Sequence, residues 1–176
     1  VALEPDNWRH RLRLSYASWG EERLREARRT LTLLPGFPLA HWLAASVHVA
    51  RQAPAEAERE LVAGISAQTS SAPSRFSGIA LHWLTGLIHL SREDDDLARA
   101  AFDRELSQEG SGHLYARECC AQTWYAIGAL EWRRGRSDQA RAAFEEPLRR
   151  LPRHQRLGPR DPGRSCRGAW DLQQLP

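Results

Sequence analysis

Lysine and methionine are both absent from this chain of 176 residues. All 25 basic residues are therefore arginine, set against 22 acids for a formal net charge of +3. Five of those arginines (Arg153, Arg156, Arg160, Arg164 and Arg167) and only two acids (Asp161 and Asp171) fall in residues 153–176. Residues 1–152 are thus neutral, which argues against a phosphate-binding surface and against nucleic acid as the partner. The three cysteines, Cys119, Cys120 and Cys166, form no ladder of disulfide or zinc spacings, which suits a reduced, cytoplasmic setting. No apolar run nears the roughly 18 residues that a membrane span needs, and no signal peptide opens the chain. The missing methionine includes the initiator, so the ends of the chain need not be natural ends.

What is present is repetition. Trp8, Trp42, Trp83 and Trp124 stand 34, 41 and 41 residues apart. Each opens a helix-like stretch, followed by a polar break and a second stretch with alanine and an apolar residue four positions later. Those pairs are Ala27 and Leu31, Ala57 and Leu61, Ala98 and Phe102, and Ala140 and Phe144. Trp124, Ile127, Gly128 and Trp132 recur at three- and four-residue spacing, one stripe of a helix. The break at 134–137 supplies Gly135 to stop one helix and the Ser137 hydroxyl to cap the next. Asp94, Asp95 and Asp96 stand where carboxylates favour the positive end of a helix dipole. No run alternates like a strand, so the fold class is all-α.

Residues 121–152 resemble a tetratricopeptide repeat: Trp124, Ile127, Gly128, Gly135, Ala140, Phe144 and Pro152 stand at the family's offsets. Residues 79–110 keep Gly86, Ala98 and Phe102 of the pattern, and the unit from Pro38 keeps Ala45, Ala57 and Leu61. The first unit keeps Ala27 and Leu31 before Pro35, with irregular helix lengths. The resemblance implies a right-handed α-solenoid of about four stacked helix pairs over residues 1–152, with a disordered Arg/Pro/Gly-rich tail at 153–176. Two departures accompany the 41-residue spacing. Residues 67–74 read as a Ser/Pro-rich loop, and 114–120 as extra turns on the third unit's first helix. Pro147 falls inside the last helix, where a kink or early fraying is expected.

In such a stack the small residues Ala45, Gly86 and Gly128 allow two helices to approach closely. The resemblance then places Trp42, Trp83 and Tyr125 on a concave groove, with Ser46, Leu87 and Ala129 one turn on, then Val49, Leu90 and Trp132. An aromatic groove of this kind suits a peptide or partner helix. In the alternative alignment, slipped by one residue, Trp42 and Trp83 fill ordinary core slots. The family's grip on chaperone tails uses Lys and Asn, and the matching places here hold Trp83, Leu87 and Tyr125. That activity is not expected.

Chemistry is harder to find. His41 and His48, like His82 and His89, are spaced seven apart, whereas metal ligands on one helix stand three or four apart. Cys119-Cys120 near His113 shows no oriented base. Neither a Gly-x-Ser-x-Gly elbow nor a phosphate loop occurs. The expectation is a non-catalytic protein-interaction scaffold with no metal, no cofactor and no membrane partner. Its alternative is a sensory or regulatory repeat segment of a larger signalling or transcription-regulating protein.

Overall fold

The computed structural model describes residues 4, 6–70, 78–111, 113 and 115–150; the tail at 153–176 lies outside them. The described residues form eight α-helices and no strand. They are α1 (Trp8–Ala17), α2 (Gly20–Leu33), α3 (Pro38–Ala50), α4 (Pro54–Ser70), α5 (Leu81–Ser91), α6 (Asp95–Leu106), α7 (Ala116–Arg133) and α8 (Ser137–Arg150). No helix among them is long and apolar enough to cross a membrane.

The helix starts follow local chemistry. Asn7 caps α1 by accepting the Arg9 N–H at 3.0 Å. Pro38 and Pro54 open α3 and α4, where a missing N–H costs nothing. Glu21 and Glu22 stand in the first turn of α2, and Asp95 and Asp96 in that of α6. The turns from α3 to α4, α5 to α6 and α7 to α8 share one geometry. Gln52, Glu93 and Gly135 occupy the same place in each, with φ of 57°, 64° and 73°. Only the last of the three is glycine.

Each helix touches its chain neighbours, and α1, α3, α5 and α7 also touch in succession. Among the described residues the backbone of no even-numbered helix closely approaches that of another, and no such approach reaches beyond the second neighbour. Ala27, Ala57, Ala98 and Ala140, at equivalent places on the even helices, are each buried to within 1%. Sixteen residues before Leu31, Leu61, Phe102 and Phe144 stand Ser15, Ala45, Gly86 and Gly128, all buried. Small residues there let each pair of helices close on one large side chain.

The core is a relay of clusters. Leu24, Ala27, Leu43, Ala44 and Val47 join α2 to α3. Ala45, Ala57, Leu61, Leu81, Leu84 and Ile88 join α3, α4 and α5. Ala98, Phe102, Ala126, Ile127 and Ala143 join α6, α7 and α8. Trp42 packs on the first two clusters, and Trp83 on the second and third. Full burial of one such side chain stabilises by about 1.5–3 kcal/mol.

Three local expectations change. Residues 116–120 do form extra helical turns, but they extend α7, the first helix of the fourth pair and not of the third. Of residues 67–74, read as a Ser/Pro-rich loop, 67–70 are instead the last turn of α4, and 71–74 lie outside the described residues. The helix α8 runs through Pro147 to Arg150. Pro147 is buried, and packing of its ring offsets part of the lost hydrogen bond.

Candidate functional site

Trp42, Trp83 and Tyr125 each stand three residues before a small, buried residue on an odd-numbered helix. The structure gives them different surroundings. Trp42 and Trp83 are half-buried, and both pack against a further cluster of Ile79, Ala80 and Ala116 together with Cys119. Their indole nitrogens are buried and have no acceptor among the described residues. Tyr125 is 40% exposed, with its ring centroid 6.5 Å from that of Phe144. Ser46 is half-buried and donates its hydroxyl to the Leu43 carbonyl at 2.7 Å. Leu87 is half-buried on two clusters. Ala129 is exposed, and Trp132 is 67% exposed. The candidate residues therefore divide into a packed group on α3 and α5 and a solvent-facing stripe on α7.

The sides of the helix layer are tied by charge. Arg51, Arg92 and Arg134 are the C-caps of α3, α5 and α7, each six residues after the small residue of its helix. Each reaches back to the preceding even helix. Arg51 bonds Glu21, Arg92 bonds Glu58 through both guanidinium ends, and Arg134 bonds Asp95 at 2.9 Å. Arg133 bonds Asp95 as well. Each arginine thereby neutralises the last turn of one helix and a carboxylate on the next unit back.

The least foreseeable feature is Glu105. Its carboxylate is 1% exposed, and it accepts the backbone N–H of Ala80 at 2.7 Å and of Trp83 at 3.1 Å. Ala80 is the N-cap of α5, with φ of 69° and no side chain of its own to cap the helix. A carboxylate from α6 thus does the work of the missing cap. Burial pushes the Glu105 carboxyl up, while the backbone bonds partly counteract that rise. No spacing in the sequence announces this, because donor and acceptor stand 25 residues apart. The one available signal is the lack of any Ser, Thr, Asp or Asn at the start of α5.

The groups singled out for chemistry have ordinary environments. Burial pushes the Cys119 thiol up to about 12 and the Cys120 thiol up to about 11. Both remain thiols at neutral pH, the reverse of an activated nucleophile. His41 shares a hydrogen bond of 2.8 Å with Glu60, which holds that carboxyl below its usual range. His48 is buried. Among the described residues no group of three His, Cys, Asp or Glu side chains is placed to hold a metal ion.

No protein-family model, no curated protein and no solved structure matches this chain.

Proposed function

We propose that this chain is a non-catalytic protein-interaction scaffold. In this reading it is a right-handed α-solenoid of four tetratricopeptide-like helix pairs that takes a peptide or partner helix in a concave groove. The equivalent small residues, the buried alanines and the three matching turns support the register. The contacts support the curvature: odd-numbered helices touch one another and even-numbered ones do not, so the odd layer is the tighter, inner one.

The observation that carries the reading is Trp132, a large aromatic left 67% in solvent on that inner layer. Tyr125 and Ala129 stand seven and three residues before it, one stripe of exposed surface along α7. Val49, at the place equivalent to Trp132 on α3, is 37% exposed. Tryptophan and tyrosine are the residues most often found as anchors at interfaces. An amphipathic partner helix, with apolar residues at three- and four-residue spacing, fits such a stripe. Trp42, Trp83, Ser46 and Leu87 then shape the wall instead of supplying the anchor. The free thiols of Cys119 and Cys120 support a reducing, cytoplasmic setting.

The test is to pan a displayed peptide library against the full chain and recover binders. Trp132→Ala and Tyr125→Ala should each weaken the recovered peptides by at least about tenfold, the loss of a 1.4 kcal/mol anchor. Peptides indifferent to both substitutions would overturn the groove.

A further inference from the structure

The opposite layer of the molecule carries a cleft that the groove reading leaves unused. Because α4 and α6 make no contact, a gap remains between them over the outer side of α5. Its volume is about 500 Å³, within the range of roughly 300–1,000 Å³ typical of small-molecule sites. Leu61, 1% exposed, lies at its base, while Val62 on α4 and Leu97 on α6 line it from either side. Those two are 63% and 56% exposed, so their apolar surface stands open to the cleft. His82, Thr85 and His89, one face of α5, line the same space.

The charge around this cleft is one-sided. Glu58 lines it but is already engaged by Arg92. Arg104 lines it too, and among the described residues its guanidinium makes no ion pair. Burial and the nearby Arg104 cation hold His82 below the usual imidazole range, which favours its neutral form. Among the described residues the cleft therefore holds one positive charge without an ion-pair partner, beside an apolar channel. That combination selects a molecule with a short aliphatic body and a single carboxylate, since a guanidinium matches a carboxylate in geometry as well as in charge.

We propose that the cleft between α4 and α6 binds a small amphipathic carboxylate. Its aliphatic body lies between Val62 and Leu97, and its carboxylate on Arg104 beside His82. An anion placed there stabilises protonated His82, so ligand binding and His82 protonation favour each other.

Decanoate is the probe, titrated into the full chain by calorimetry and followed through the His82 ring resonances. Decanoate is expected to bind with a dissociation constant below about 1 mM and to raise the His82 pKa. Arg104→Ala, an exposed position whose change leaves the core intact, should weaken binding at least tenfold, and Leu97→Asp should weaken it too. Decanol, the same body without the charge, should bind at least tenfold more weakly than decanoate. Binding of decanoate undiminished in Arg104→Ala, equal binding of decanol, or no binding up to about 1 mM would each overturn the proposal. Trp132→Ala should leave decanoate binding unchanged, so failure of this cleft and failure of the peptide groove are read separately.

Discussion

The ring of Phe102 stands where a side chain on Gly86 would have to go. A Cβ at Gly86 would fall 2.4 Å from Phe102 Cε1, and one at Gly128 would fall 2.4 Å from Phe144 Cε1. The two contacts are alike in register and distance but not in freedom. Phe102 is 0% exposed and has nowhere to move, whereas Phe144 is 37% exposed. Gly86→Ala should therefore cost about 1–3 kcal/mol of overpacking, offset by up to about 1 kcal/mol of helix propensity. Gly128→Ala should be close to neutral, because its ring can swing outward. Adding Phe102→Leu to Gly86→Ala recreates the Ala45 and Leu61 pair of the second unit and should recover much of the loss. Urea unfolding of the four proteins checks this; equal losses in the two single variants would contradict it.

Gln52 and Glu93 hold a left-handed backbone that the matching turn gives to Gly135. For a residue with a Cβ that conformation costs roughly 1–2 kcal/mol, partly offset by the greater unfolded-state freedom of glycine. Gln52→Gly and Glu93→Gly should each stabilise by about 0.5–1 kcal/mol, while Gly135→Ala destabilises by a similar amount. Calorimetric melting gives the sign directly. A loss of stability in both glycine variants would mean that side-chain contacts, and not backbone strain, rule these turns.

Glu105 gives stability an unusual pH sign. Its folded pKa is raised, so between the unfolded value near 4.3 and that raised value the native state holds more protons. Its contribution is fully present below the unfolded pKa and declines as pH rises through the folded one. Glu60 runs the other way: its lowered pKa gives a contribution present above about pH 4.3 that is lost as pH falls through the folded value. Glu105→Gln removes the first of these titrations. The unfolding free energy of wild type minus that of Glu105→Gln should therefore fall with rising pH and then level off. Glu105→Ala should cost about 2 kcal/mol or more at any pH, because it leaves the Ala80 and Trp83 amides without an acceptor.

Trp83 and Trp132 provide a direct contrast between core and surface. Trp83 packs on three clusters, and Trp83→Ala should cost about 3–5 kcal/mol. Trp132→Ala should stay within about 0.5 kcal/mol of wild type in chemical denaturation. A large loss at Trp132 would assign it a structural duty and remove it from the partner surface.

The pairings within each unit were legible because they rest on fixed spacing. Alanine four before an apolar residue, and a small residue twelve before that alanine, specify which faces meet, and the four buried alanines follow that pattern. The added turns at 116–120 were visible as helix, but sequence could not say which helix they prolong, since Gly110 and Ser111 leave both joins open. Thr69 and Ser70 read as loop because hydroxyl residues favour turns in isolation, and here α4 carries through them. Trp42, Trp83 and Tyr125 share a register, yet only Tyr125 is exposed, because clusters drawn from helices both before and after them close over the other two. Glu105 and the outer cleft depend on side chains from separate helices converging, which no linear spacing encodes.

Among the described residues, helix-to-helix approaches that never skip beyond a second neighbour also bear on how the proposed stack responds to load. Among the described residues nothing staples α1 or α2 to α7 or α8, so in the proposed solenoid a pull along the stack is carried serially through each junction. A stack of that kind is expected to stretch elastically like a spring before any one pair is torn out.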